Sequence, residues 1–438
     1  MKRQCFFSFG YEHMEFTRLT EQEFSQFSEA QANMNFWQST SMAHLRKWNG
    51  WNYDYVGLKQ ENRMIAAAMI SYRKVFFHMT YAQAVRGFYI DYHDHELMKL
   101  FHKELCKYLK SIHCMYFKID PYVTYRERDM NGDLVENGFN HQDVVDELIS
   151  LGYQHSGFTR GMSTQREPNW MFVRDIKDKT EAQLLEEFDH QTRWTINKTR
   201  KMGIQVKELS KDELPLFKSI MDHTSMRRGF EDHSMHYYEG LFETFGKDGR
   251  LKLLVAQLNL HDYHERLEEE KQTAMKELEE VKTHLQAQSG SKKFNKKKKV
   301  LEEQIQLVEK KQADCERMKE ENQSDVLTLA GATFLLAGKE IMYLYSGAYE
   351  AYMKFNAQYA LQWHMFRYGI AQRFERYNFY GISGIFDKAD ESYGVYEFKR
   401  GFQGTVEELI GDFTLYVHPF AYHLYEMLRS VKHKIKKS

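Results

Sequence analysis

Leu251-Lys252-Leu253-Leu254-Val255-Ala256-Gln257-Leu258-Asn259-Leu260 and Thr328-Leu329-Ala330-Gly331-Ala332-Thr333-Phe334-Leu335-Leu336 each read as a β-strand, and residues 261 to 325 between them are Pro-free and highly charged. Ahead of Ser289-Gly290-Ser291-Lys292-Lys293-Phe294-Asn295-Lys296-Lys297-Lys298-Lys299, the residues Leu267, Lys271, Ala274, Leu278, Val281 and Leu285 recur at alternating steps of four and three. Beyond it Leu301, Ile305, Val308, Gln312 and Cys315 repeat those steps. Such a pattern is a coiled-coil seam. Two short seams joined by a Ser/Gly break are too short to stand alone, so they pair antiparallel and carry the lysine-rich tip outward. Loop-closure entropy grows only logarithmically with length, so a long hairpin inserts readily between neighbouring strands. The segment therefore reads as an arm, with two readings of its lysines open: solubility, or displacement of counterions from a polyanion such as RNA.

Working outward, strands at Tyr53 to Leu58, Met64 to Tyr72 and Met115 to Ile119 alternate with helices at Asp94 to Ile112 and Val144 to Leu151. A second round has strands at Met171 to Asp175, Ile204 to Glu208, Glu340 to Tyr345 and Arg376 to Tyr380. Its helices fall at Glu181 to Phe188, His190 to Met202, Lys211 to Thr224, Ala357 to Gln372 and Pro419 to Lys432. Two rounds of α/β alternation point to a mixed α/β class with two similar units. The boundaries expected are 14–165 for the first unit, 166–260 with 327–438 for the second, and 261–326 for the arm.

A chain of 438 residues with 42% apolar and 15% aromatic content has material for two or three cores. Net charge is −1, so any nucleic-acid affinity rests on local patches. Cys5, Cys106, Cys114 and Cys315 lack ligand spacing, which suits a reducing compartment and predicts neither disulfide nor metal. The longest apolar run, Met64 to Ile70, is far short of the roughly 20 residues of a membrane span, and the N-terminus lacks a secretory core. Met14 reads as the natural start, with residues 1–13 an upstream extension.

No Gly-x-Gly, GxxxxGK[ST] or Gly-x-Ser-x-Gly pattern occurs, so a reaction without ATP, nicotinamide or CoA is favoured, and no cofactor is expected. Phe117-Lys118-Ile119-Asp120-Pro121-Tyr122 sets a carboxylate at a strand end before a pairing-breaking proline, which suits a site residue or a turn cap. In Glu340-Ile341-Met342-Tyr343-Leu344-Tyr345-Ser346-Gly347 the two tyrosines share a face, either lining a ligand site or completing a core. Arg193, Asn197 and Arg200, with Lys198 and Lys201, form a basic helical stretch that suits phosphate or solvent.

These segments, with Tyr359-Ala360-Leu361-Gln362-Trp363, Tyr377-Asn378-Phe379-Tyr380-Gly381-Ile382-Ser383-Gly384 and Glu397-Phe398-Lys399-Arg400-Gly401-Phe402, stand in the order found in the Fem family of peptidoglycan bridge aminoacyltransferases. The resemblance spans residues 14 to 430 and includes the arm of the subgroup that carries a helical hairpin. It implies two domains similar to GNAT-type acetyltransferases. The implied reaction moves an amino acid (Ala, Ser or Gly) from aminoacyl-tRNA to a stem-peptide amine of lipid II or UDP-MurNAc-pentapeptide. Cytoplasmic work, peripheral to the inner face of the membrane and in company with homologous transferases or a second copy, is implied too.

Carried over residue by residue, the resemblance makes Asp120 the stem-peptide aspartate, Tyr237 and Tyr345 substrate contacts, and Phe398 with Lys399 the pair beside the reacting ester. It gives Arg46, or Lys47 next to it, the precursor's phosphates, and sets His233 where some members have arginine. Asp120 and Lys399 are the catalytic candidates, as amine positioner or base and as oxyanion stabiliser. Arg193, Lys198, Arg200, Lys201, Lys292, Lys293, Lys296, Lys297, Lys298 and Lys299 would hold tRNA. An RNA-binding coiled-coil adaptor with a non-catalytic body and an acyl-CoA N-acetyltransferase are the rival readings.

Overall fold

The computed structural model describes residues 13–163, 165–287 and 291–437. The Ser289-Gly290 break and residues 1–12 of the expected extension lie outside the described residues, as do the side chains of the Lys432 to Lys437 tail. The strands are β1 (Met14–Leu19), β2 (Asn52–Gln60), β3 (Arg63–Phe76), β4 (Met79–Arg86), β5 (Cys114–Pro121), β6 (Thr124–Glu127), β7 (Gln154–His155) and β8 (Trp170–Asp175). They continue with β9 (Gln205–Glu208), β10 (Leu251–Asn259), β11 (Val326–Ala337), β12 (Glu340–Ala348), β13 (Arg376–Ile382), β14 (Thr405–Leu409) and β15 (Phe413–Tyr416). They form two sheets, ordered β1-β2-β3-β4-β5-β15-β7 and β6-β14-β8-β13-β12-β11-β10-β9.

The mixed α/β class expected from the sequence is what the chain adopts. In β5, Phe117 and Ile119 turn into the first core while Tyr116 and Lys118 turn to the other face, as the two-residue period of a strand requires. The helix His95–Ser111, capped by Asp94 accepting from the Leu97 amide, lays Leu97, Met98, Phe101, Leu105, Tyr108 and Leu109 on that core.

Two strands cross the boundary expected at 165/166. From the first half, β6 pairs with β14 in the second sheet, and β15 returns from the second half to pair with β5 and β7 in the first. A shared core follows the exchange, in which Phe36, Trp37 and Leu45 pack with Phe217, Tyr238, Phe245 and Met342. Neither sheet is complete without the other half, so residues at the seam are held from both sides. Asp120 is the last residue but one of β5 there, just before the chain crosses.

The arm is the antiparallel hairpin its spacing predicts. Helix Leu260–Ala287 runs out and Lys292–Asn322 runs back. Lys271 pairs with Glu309 and Glu277 with Lys297, so a later residue on the outgoing helix meets an earlier one on the returning helix. Leu267, Ala274, Leu278, Val281, Leu301, Val308 and Cys315 are buried along the seam. The arm springs from an antiparallel pair, since Asn259 of β10 lies opposite Val326 of β11 and the Leu260 amide donates to the Asp325 carbonyl.

Candidate active site

The seam between the halves gathers a polar cluster from five parts of the chain. At its floor Arg86 ends β4 with φ 55°, and its backbone amide donates to Asp120 Oδ1 at 3.0 Å. The Arg86 guanidinium lies 3.1 Å from Asp120 Oδ2 and donates to the Pro168 carbonyl at 2.6 Å. Asp120 is only 6% exposed. Burial pushes its carboxyl up to about 7, against the pull of the Arg86 guanidinium.

Above this pair stands Glu167, half-buried on the segment before β8. It accepts a hydrogen bond from the Tyr380 hydroxyl, which in turn accepts from the Trp37 indole at 3.2 Å. Gly381 permits the approach, because a Cβ there would lie 2.8 Å from Pro168. Tyr380 itself takes φ 61° at a break in the β13–β8 register, and its amide donates to Asn378 Oδ1 at 2.7 Å. The Asn378 side-chain amide is anchored in turn on Glu340 (2.9 Å) and Tyr122 (3.1 Å). A left-handed tyrosine held by a buried amide is the kind of local strain that clusters at working sites.

The rim completes the cluster. Tyr237 and Tyr345 hydroxyls meet at 3.0 Å, and His233 stacks on Tyr237 with ring centres 4.0 Å apart and meets Tyr345 edge-on with centres 4.9 Å apart. Arg46 lies between the Trp37 and Trp51 rings, 5.0 and 5.3 Å from their centres. Burial lowers the Arg46 guanidinium, while Glu167, Tyr237, Tyr81 and Tyr345 raise it, so Arg46 shares one electrostatic neighbourhood with the tyrosines. Burial raises the phenols of Tyr237, Tyr345 and Tyr380, which therefore stay protonated as donors.

Lys399 meets the cluster from behind. It is 5% exposed, and its Nζ donates to the Gly381 carbonyl at 2.6 Å and the Tyr380 carbonyl at 3.4 Å. Burial brings the amine down to about 7. Lys399 can therefore hold or release a proton near neutrality.

Of the residues singled out in the sequence, the structure joins Arg46, Asp120, His233, Tyr237, Tyr345 and, through the backbone of Tyr380, Lys399. Phe398 stands apart. Successive helical residues diverge by about 100°, and its ring packs on Tyr359 and Phe402 at 5.1 and 5.5 Å. Lys47 is exposed on the turn beside Arg46. A cavity of about 290 Å³ opens nearby between Tyr122, Glu340, Arg376 and Glu407, with none of the predicted site residues in its wall. Sequence reading missed Arg86, Glu167 and Tyr380. Arg86 had a usable signal, a charge at the end of an alternating strand, the same address that singled out Asp120.

The predicted nucleic-acid contacts fall on two separate surfaces, one beside the arm's base and one at its tip, about 30 Å further along the outgoing helix. On helix His190–Met202, Arg200 and Lys201 are exposed and Lys198 lies 5.2 Å over the half-exposed Trp194 ring, whereas Arg193 donates to the Glu186 carbonyl. The Arg266 guanidinium, at the arm's base, closes over Gly203, which ends that helix with φ 78°. At the tip, Lys297, Lys298 and Lys299 pair with Glu277, Glu302 and Glu303, and Lys292, Lys293 and Lys296 make no ion pair among the described residues. Cys106, Cys114 and Cys315 are free thiols, and Cys5 lies outside the described residues. His261, Asp262 and Glu265 bring ligand-type atoms within 4.8 Å of one another, but on a solvated first turn where the histidine already pairs with both carboxylates.

Fold and site together define a two-sheet α/β protein with a polar seam and a helical arm. Comparison with known proteins gives the same answer at higher resolution. The sequence model of the FemAB family matches residues 19–430. The chain is 32% identical over 420 residues to the aminoacyltransferase FemA of Staphylococcus epidermidis, covering 96% of this chain and all of that one. It is likewise 32% identical over 423 residues to the aminoacyltransferase FemA of Staphylococcus aureus, with the same 96% and 100% coverage. A crystal structure of FemX shares the fold, with TM-score 0.75 at 24% identity over 94% of this chain and 99% of that one. The chain belongs to the FemAB family.

Proposed function

We propose that this chain is an aminoacyltransferase that moves an amino acid from aminoacyl-tRNA onto an amine of a peptidoglycan stem peptide, building the interpeptide bridge at the inner face of the cytoplasmic membrane. The observation that carries this reading is the end-to-end relationship to proteins named for aminoacyl transfer. An aminoacyl ester is already activated, and its conversion to an amide runs downhill.

The chemistry needs an uncharged amine nucleophile, a held ester and a stabilised tetrahedral oxyanion. Lys399 in its protonated form would offset the developing negative charge, and the neutral Tyr237–Tyr345 pair, which spends one hydroxyl proton between its rings, keeps the other as a hydrogen-bond donor. Asp120 is engaged by Arg86 on both oxygens, so its work is to fix the seam and orient the acceptor, with little left for taking a proton. Arg46, a cation between two indoles, is the phosphate contact of choice for a lipid- or nucleotide-linked precursor. The arm tip and, at the arm's base, the helix with Trp194 would hold the donor at two separated points, cations on phosphates and the exposed ring for stacking.

Purified protein incubated with individual charged tRNAs and with lipid II or UDP-MurNAc-pentapeptide tests this reading. Label appearing in amide linkage on the stem peptide is expected, and the pair that works names both amino acid and acceptor. No product from any combination would return the chain to the rival reading of an RNA-binding adaptor.

A further inference from the structure

The C-terminal helix Pro419–Lys437 packs one side on the first sheet and leaves another bare. Tyr422 rests on Tyr116 and Tyr416, at 5.1 and 4.6 Å, and Tyr425 on Phe76 at 5.8 Å. Round the helix from these, Phe420 (85% exposed), Leu424, Met427 (56%) and Leu428 recur at steps that fall on a single stripe. Phe77, 83% exposed at the tip of the β3–β4 hairpin, is in ring contact at 4.6 Å with Phe76, the ring on which Tyr425 rests, and so adds a second exposed apolar group beside the helix. The sequence keeps the spacing with Val431 and Ile435 and adds Lys432, Lys434, Lys436 and Lys437. Scattered exposed apolar residues are ordinary, but a contiguous patch marks an interaction surface.

What covers the patch is indicated by its charge. An apolar stripe on a helix rich in lysine is the composition of a helix that lies in the plane of a lipid interface, apolar side chains in the acyl boundary and cations among anionic headgroups. A second feature runs on from it. Across the neighbouring strands Tyr416 lies opposite Tyr116, Tyr116 opposite Tyr81, and Tyr81 opposite Arg73. The Arg73 guanidinium stands 4.5 Å over Trp51, the ring that also carries Arg46. Lys118 is exposed in the adjoining row. An aromatic and cationic track thus connects the bare helix to the polar seam along one face of the sheet.

We propose that the Pro419–Lys437 helix, with Phe77, seats this protein on the surface of an anionic phospholipid leaflet. The seating is independent of the chemistry proposed above; only the alignment of Arg46 with a lipid-linked phosphate rests on that reading.

Full-length protein sedimented with large unilamellar vesicles tests the seating. Wild type is expected to bind vesicles of phosphatidylglycerol mixed with phosphatidylcholine, to release as salt rises, and to ignore phosphatidylcholine alone. Combined replacement Phe77→Ser, Phe420→Ser and Met427→Ser, all at exposed positions, is expected to lower partition by about tenfold or more. Binding by neither vesicle type, or equal binding by wild type and variant, would overturn the proposal. So would a wild-type dimer in sedimentation equilibrium that the variant dissolves, because the stripe would then be an interface between copies. Transfer to the soluble nucleotide-linked acceptor separates the two claims: the variant should match wild type there whether or not it has lost the vesicles, while a failure of transfer in wild type touches only the chemistry.

Discussion

The seam and the arm use charge in opposite ways. In the seam Asp120, Arg86, Glu340 and Lys399 are nearly all buried, and each is bound to a fixed partner in the protein. On the arm the ion pairs, such as Lys299 with Glu303 and Lys298 with Glu302, stand in solvent at 3.8 and 3.7 Å. Buried pairs hold geometry and are costly to break, whereas solvent-facing pairs contribute about 0–1 kcal/mol and exchange readily for another anion. The contrast matches the proposed division between a seam that positions chemistry and an arm that takes hold of a polyanion.

The sharpest way to break the contrast is Asp120→Ala. It strands the Arg86 guanidinium at the bottom of the seam, and a loss of about 3–5 kcal/mol in urea unfolding is expected; a change below about 1 kcal/mol would show that the pair does not hold the seam. Lys399→Met should come next, lowering turnover by about tenfold or more while precursor binding stays nearly unchanged. Near-normal turnover would remove the amine from the reaction.

Stability against pH sharpens the same picture. Burial has moved Lys399 from 10.5 down to about 7, so between those values the unfolded chain binds the proton more tightly and stability rises with pH, by at most ~1.4 kcal/mol per unit from this group. Asp120, moved from 3.8 up to about 7, holds its proton better in the folded state, so its contribution falls as pH climbs through that window. Lys399→Met should therefore flatten the alkaline limb between about pH 7.5 and 9.5 and leave the acid limb in place; parallel curves would contradict the burial argument.

On the arm the effects should be smaller and of another kind. Replacing Lys296, Lys297, Lys298 and Lys299 with Gln should leave unfolding within about 0.5 kcal/mol of wild type, yet reduce the salt slope of tRNA affinity by up to about four phosphate equivalents. An unchanged slope would mean that the tip does not touch the donor. Lys271→Gln, away from the tip, breaks the pair with Glu309 and should cost under about 1 kcal/mol while leaving the salt slope as it was.

The same contrast explains what was legible in the sequence. The arm depends on local periodicity, so Leu267, Ala274, Leu278 and Val281 announced it, and strands such as β10 and β11 were plain from their apolar runs. The seam depends on long-range pairing, which leaves little local trace. The exchanged strand β15 is only Phe413–Tyr416, too short to show a period, and β6 is equally brief. Glu167 lies in an irregular segment whose position is set by Arg86, Pro168 and Gly381, three residues remote from one another in sequence. Asp120 was found by its address at a strand end, but its partner was not, so its burial and engagement could not be foreseen.

Division of labour between body and arm is best tested by replacing residues 261–325 with a short Gly/Ser turn between the paired strands β10 and β11, then timing transfer from two donors. One is full charged tRNA, the other a short aminoacyl oligonucleotide ester carrying the same amino acid. The armless protein should keep its rate with the short ester and lose most of its rate with full tRNA. Equal rates with both donors, or a folded armless protein that is inactive on the short ester, would contradict the account.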